Sequence, residues 1–319
     1  MSATRMGIEA TPWEGGSASS SVERKYEEND ERVYATTGLD QTWHVSEQWT
    51  LSAGFEGAKV LTENLSEPLN ENAAPASPQE DYAAISVGAG YELDNWDFNI
   101  RLETRDGEDS DKWGLISGLF GEPVDGIGIS TDLMHFRTEA DSGLETKETD
   151  LRLGFGYRPF ERNWTFLDRL EYIVDEETSS TMDLTAWKLV NNFNANLMAS
   201  DDLQFSFQYG AKYVKDTING QVYSGLTQLL GAEGRYDLAP RWDIGAWTSF
   251  LAALDAGTTD YGLGASLGYG LMENMWLSFG YNVHGFEDSD FSQGEFTAQG
   301  PFVKFRLKFD QEDLRSLMK

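Results

Sequence analysis

Residues Asp81–Thr104, DYAAISVGAGYELDNWDFNIRLET, decide how the rest of the chain is read. The first half alternates strictly: Ala83, Ile85, Val87, Ala89, Tyr91 and Leu93 against Tyr82, Ala84, Ser86, Gly88, Gly90 and Glu92. Asp94-Asn95 interrupts the pattern, which then resumes with Trp96, Phe98, Ile100 and Leu102 against Asp97, Asn99, Arg101 and Glu103. A side-chain period of two means β-strand, and a tight polar turn between two such runs means an antiparallel hairpin. Each strand is about ten residues or longer, against a usual five or six in soluble sheets. One face is apolar with aromatics beside the turn; the other carries Gly, Ser, Asn and charge. A strand with lipid on one side and water on the other needs that division.

Outward from this hairpin the same pattern repeats. On the N-terminal side it predicts strands over Arg5–Trp13, Arg32–Trp43 and Trp49–Leu61, with a polar loop Glu14–Glu31 and a long, Pro-containing loop Thr62–Glu80. On the C-terminal side a charged loop, Asp106–Asp111, precedes Lys112–Leu119 and Gly126–Arg137, whose Gly content leaves their facing open. Strands follow at Leu144–Arg158, Trp164–Val174, Leu184–Met198, Leu203–Val214, Val222–Leu238, Trp242–Leu254, Asp260–Leu271, Met275–Val283 and Glu295–Phe309. The sum is about sixteen strands, an even number, with long acidic loops alternating with short turns; this parity places both termini on the short-turn, periplasmic side.

The totals set bounds. No run of 18 apolar residues exists, so no transmembrane helix is expected. The mean hydropathy of -0.47 is compatible with a membrane wall in which only alternate residues touch lipid. With no Cys in 319 residues, disulfides, zinc-thiolate sites and cysteine catalysis fall away. A net charge of -30 argues against nucleic acid as a partner. Met1-Ser2-Ala3-Thr4 lacks the basic and apolar regions of a signal peptide, so the chain is expected to be a mature or trimmed segment.

A weak internal repeat accompanies the turns. Gly90-Tyr91-Glu92-Leu93, Gly156-Tyr157, Tyr236-Asp237-Leu238 and Gly268-Tyr269-Gly270-Leu271 end strands, and Trp96, Trp164, Trp242 and Trp276 open the next ones. Trp and Tyr settle at lipid headgroup level, so Trp49, Tyr91, Trp96, Tyr157, Trp164, Tyr236, Trp242 and Tyr269 read as an interface belt rather than as caps on a soluble sandwich. With these turns, and with the terminal Val303-x-Phe305-x-Leu307-x-Phe309 strand, the chain resembles a bacterial outer-membrane β-barrel of the porin or barrel-anchor type. The stretch Gly156-Tyr157-Arg158-Pro159 … Trp164-x-x-Leu167-x-Arg169-Leu170-x-Tyr172 also resembles strand pairs in the C-terminal barrels of large bacterial surface proteins. The resemblance implies an all-β, antiparallel up-and-down transmembrane barrel over residues 1–309 in the bacterial outer membrane. Its surroundings would be the lipid bilayer and lipopolysaccharide, and Val303, Phe305, Leu307 and Phe309 would be the signal read by the barrel-assembly machinery. That signal usually ends a chain; here residues 310–319 follow as a short periplasmic tail. A homo-oligomer is a further implication.

Charge on the polar phase marks the candidate site. Arg101, Glu103, Asp150, Arg152, Arg169, Glu171, Glu233 and Arg235 would line an aqueous lumen, where opposed acids and bases set charge selectivity. The competing reading is that they pair across strands and brace the wall. The acidic stretches Asp106–Asp111 and Glu287–Asp290 lack EF-hand spacing, and no metal site or cofactor is expected. His44, His135 and His284 are scattered, and no nucleophile elbow, P-loop or HExxH motif appears, so no catalytic residues and no enzyme activity are expected. The functional expectation is a porin-like channel for passive diffusion of ions or small hydrophilic solutes. The alternative is a non-conducting anchor barrel for an upstream surface or periplasmic domain.

Overall fold

The computed structural model describes residues 2–27, 30–64, 80–159, 163–272, 275–285 and 299–307. Among these the regular structure is all strand: β1 Ser2–Trp13, β2 Gly16–Glu27, β3 Asp30–His44, β4 Trp49–Asn64, β5 Tyr82–Leu93, β6 Trp96–Gly107, β7 Ser110–Val124, β8 Ile127–Ala140 and β9 Glu145–Tyr157. Then follow β10 Trp164–Thr178, β11 Asp183–Ser200, β12 Leu203–Ile218, β13 Gln221–Ala239, β14 Trp242–Ala253, β15 Thr258–Met272, β16 Met275–His284 and β17 Gly300–Leu307. Each strand pairs antiparallel with the next in sequence, an up-and-down meander of seventeen. All but β16 and β17 run twelve residues or more.

The count corrects the expected sixteen. Gly16–Glu27, expected as loop, is β2, paired with β1 and β3. Its outward positions are Ala18, Ser20 and Val22, and Ser17, Ser19 and Ser21 face in. The period of two is there, but Ser and Ala carry too little hydropathy contrast to announce it. The extra strand also corrects the parity. β1 and β17 now run in the same direction, so the chain's first described residue lies at the end opposite the short turns. Only the C-terminal end of β17 is on the short-turn side. Among the described residues β1 and β17 share no pairing.

Several expected loops are strand. β6 and β7 run through Asp106–Asp111 except for a two-residue connection at 108–109, because Asp106 pairs with Asp111. β12 continues to Ile218, and Asn219-Gly220 closes the hairpin with φ of 49° and 81°. Positive φ at both central residues is the type I′ turn, whose twist matches that of the strands. The connections longer than six residues, 65–81 and 285–299, both lie at the end opposite 94–95 and 201–202.

The sheet curls toward its polar face. Ser21, Tyr34, Ala58, Ala84, Ser86, Asp150, Val190, Asn192, Leu229, Asp243, Ser266 and Asn282 are all buried and all belong to one phase of the register. Side chains crowd one another on a concave surface and splay on a convex one. On the convex phase Ile85 and Val87 are 58% and 52% exposed. The facing of residues 112–137 is now visible. Leu115, Trp113 and Leu133 point out, while Ile116, Phe120 and Met134 point in, opposite Arg101, Asp97 and Asp150. Apolar residues on the inner phase are why this pair had no readable polarity.

Candidate functional site

All eight predicted belt residues lie on the outward phase at the short-turn end. Four of them meet in pairs, Trp49–Tyr91 and Trp242–Tyr269, each at 4.7 Å, and Phe166 is stacked between Tyr157 at 5.8 Å and Trp164 at 5.7 Å. Trp276 does not join them. It sits opposite Gly270, on the inner phase with Ser278 and Asn282.

A second girdle, not expected from the sequence, lies toward the other end. Trp113 packs on His135 at 4.9 Å, and Trp187 lies between Tyr172 at 6.2 Å and Tyr213 at 5.1 Å. From Trp164 to Val174, the residue opposite Trp187, is ten residues. At about 3.3 Å per residue and a tilt of about 40° this is roughly 25 Å, the height of the apolar band of an outer-membrane barrel. Asp168 interrupts that band on β10; the Asn191 amide Nδ2 donates to its carboxylate at 2.7 Å.

All eight predicted lumen residues face inward, and the structure gathers them into three groups. On β6 the Arg101 Nη2 donates to Glu103 Oε2 at 3.0 Å. On β9 and β10 Arg152 donates to Asp150 and, through Nε at 2.6 Å, to Glu171, with Arg169 3.8 Å from the other Glu171 oxygen. On β13 and β14 Arg235 donates to Glu233 at 2.9 Å and to Asp243. Arg152 opposite Glu171 is a direct cross-strand pair of opposite charge, whereas Asp243 lies opposite a second acid, Asp237, and is reached diagonally by Arg235. The pairing reading of these charges thus describes their geometry.

Glu80, expected at the end of a loop, is the buried acceptor of a fourth group. Arg105 Nη2 donates to it at 2.8 Å, the Asp109 N–H at 2.7 Å and the Ser110 hydroxyl at 2.6 Å. Arg105 lies 4.0 Å over the Tyr82 ring, and the Tyr82 hydroxyl donates to Glu56. Outside the strands, Asp81 accepts from Lys59 Nζ at 2.9 Å and from the Val60 N–H at 2.6 Å. The Lys59 hydrogen bond, then the Val60 N–H, hold its carboxyl below the ordinary carboxylate range. A depressed acid stabilises at pH above its unfolded value and loses that contribution as pH falls through its folded one. The protection factor of the Val60 amide, measured by exchange mass spectrometry and corrected for the intrinsic rate at each pH, is therefore expected to fall as pH drops below the ordinary carboxylate range, and to show no such step in Asp81→Asn.

Among the described residues no group of three or more His, Asp or Glu is arranged to hold a metal ion. Glu287–Asp290 and Phe309 lie outside the described residues, as does 310–319. Val303 and Phe305 are on β17, opposite Phe279 and Leu277, and Leu307 ends the strand opposite Met275.

A long-stranded antiparallel up-and-down meander, apolar outside between two aromatic girdles and charged inside, has the wall architecture of a transmembrane β-barrel. The chain is similar to several solved structures. They include an outer membrane protein, OmpT, of Vibrio cholerae (10% identity, 82% of this chain and 88% of that one, TM-score 0.34). The outer membrane protein opdK of Pseudomonas aeruginosa is another (11% identity, 84% and 88%, TM-score 0.35). A third is an anion-selective porin from Comamonas acidovorans (10% identity, 79% and 89%, TM-score 0.33). No protein-family model matches the chain, and no curated protein matches it.

Proposed function

We propose that the protein is a porin-like, non-enzymatic channel in the bacterial outer membrane through which ions or small hydrophilic solutes diffuse. The observation that carries this reading is the inner wall itself. Arg101 is 53% exposed and Arg152 51% exposed on that face. Guanidinium groups held half-open on a concave surface need water beside them, because a dry centre would impose several kcal/mol for each ion. The two aromatic girdles are the proposed membrane boundaries, with lipopolysaccharide around the outer one. Val303, Phe305, Leu307 and Phe309 remain the proposed contact for the barrel-assembly machinery.

Within this reading the three charge groups act as local fields along the wall rather than as a single charged ring. Each arginine is matched by a carboxylate on its own or an adjacent strand. Reversal of one partner therefore changes local charge by two units. In planar bilayers the purified protein is expected to give stepwise conductance, and Arg101→Glu and Arg169→Glu are each expected to shift the reversal potential in a salt gradient toward cation preference. Silence at all voltages would reject the channel and leave the anchor barrel.

A further inference from the structure

The inner wall carries a second feature that charge pairing does not use. One row of direct cross-strand neighbours runs Asn196, Ser206, Glu233, Trp247, Gly264, Asn282 from β11 to β16. At about 4.8 Å between strands the row is roughly 24 Å long. Trp247 breaks the rule of the wall: it is a large aromatic on the polar phase, well away from both girdles. Its indole reaches over Gly264, where an added Cβ would meet Cζ2 at 2.2 Å, and Asn282 Oδ1 is 3.0 Å from the same point. Phe302 reaches over Gly280 in the same way, its Cζ 2.1 Å from an added Cβ, with its ring 5.4 Å from that of Trp247 and inclined 62° to it. Two adjacent strands thus carry glycine where two rings reach over the wall.

We propose that this row is a binding track for a neutral carbohydrate chain. The proposal rests on the channel reading, since it needs a wet lumen. A pyranose presents a flat C–H face and a rim of hydroxyls. The face fits an aromatic ring on a wet wall, here the half-buried Trp247, and hydroxyls, which both donate and accept, fit a mixed row of amide, hydroxyl and carboxylate. The Ser206 hydroxyl donates to Asn196 Oδ1 at 2.6 Å, which fixes the carboxamide with its NH2 group left to donate. Glu233 is held by Arg235 at 2.9 Å and is 38% exposed, an acceptor with a fixed direction. Charge favours a neutral solute over an acidic one: Glu233 and Asp243 outnumber Arg235 by one at the middle of the row. A small cation would use the carboxylates but would gain little from the rings. The competing account is that Trp247 and Phe302 only cover glycine backbone, as Phe136 does over Gly114.

The test is titration calorimetry of the detergent-solubilised full chain with maltohexaose, cellohexaose and polyethylene glycol of matched size. At least one hexasaccharide is expected to bind saturably and the polymer not at all. Trp247→Phe should retain binding, and Trp247→Ala should weaken it by roughly tenfold, the scale of one stacking contact. Ser206→Trp, which fills the track without touching the Trp247–Gly264 contact, should abolish it, and keeps the test informative if Trp247→Ala fails to fold. Binding unaffected by both Trp247→Ala and Ser206→Trp, or absence of saturable binding to either hexasaccharide, overturns the proposal. Trp247-dependent binding in a protein that is silent in bilayers would leave the track standing and reject the channel. Conduction without binding would reject the track alone.

Discussion

Arginine at Ile100 is expected to lower folding stability in lipid by ~2–4 kcal/mol, the cost of a cation at the bilayer midplane on the lipid side of a barrel. Ile100 lies four residues from Trp96 at one girdle and four from Thr104, which is opposite Trp113 at the other. The same substitution at Val87, opposite Leu102 on the paired strand, should cost nearly as much, and at Ile85, opposite Thr104 at the girdle, clearly less. The control is one residue away. Arg101 already carries an arginine on the inner phase, and Arg101→Ile should change stability by less than ~1 kcal/mol, because its half-exposed ion pair with Glu103 is a weak contributor in wet surroundings. Urea unfolding into liposomes measures both. Equal costs on the two phases would remove lipid as the solvent of the outer face.

The second large effect is expected at Arg235. Its side chain is 17% exposed and that of Asp243 8%, so this is the least hydrated of the three groups that hold the expected lumen charges. Removing the guanidinium in Arg235→Met leaves Asp243 and Glu233 facing each other without a cation. Breaking a fully buried pair costs about 3–5 kcal/mol; partial hydration of Glu233 brings the expectation here to about 2–3 kcal/mol. Arg235→Met combined with Asp243→Asn should recover more than half of that loss, since the second change removes the charge left uncompensated. A double-mutant cycle in the same liposome assay reads the coupling. Additive losses would mean that Arg235 acts through its packed stem and not its charge.

Strand periodicity made much of this architecture readable in advance, and the places where it did not share a physical cause. Alternation is visible when the two faces differ in hydropathy. Phe98, Ile100 and Leu102 against Asn99, Arg101 and Glu103 differ as much as side chains can, and β5 and β6 begin where the alternation begins. Ala18, Ser20 and Val22 against Ser17, Ser19 and Ser21 hardly differ, so β2 looked like loop. Missing it shifted the parity and moved the start of β1 to the wrong end. Asp106 and Asp111 looked like loop for another reason. Acids at a strand end above the upper girdle are solvated whether paired or not.

For the inner wall, facing was legible and partnership was not. Alternation alone put Arg101, Arg152, Arg169 and Arg235 inside. It could not show that Arg235 reaches Asp243, eight residues on, or that Glu80 folds back under Arg105, because both depend on register between strands. Trp247 and Phe302 carried one signal that a close reading could have used: each is a bulky aromatic on the polar phase, and each falls opposite a Gly on a neighbouring strand. An aromatic facing water across from a glycine is a ring with room to reach over the wall.

The measurement that bears most directly on the whole account is a scan of solvent along β6. The chain has no native Cys, so single cysteines at positions 98 to 103 can each carry a nitroxide in proteoliposomes. The account predicts that oxygen accessibility peaks at 98, 100 and 102 and that a water-soluble nickel chelate reaches 99, 101 and 103, two period-of-two waves out of phase. A flat profile, or accessibility to neither reagent at the odd positions, would mean a dry interior on one side and would contradict a lipid-facing wall around a wet lumen.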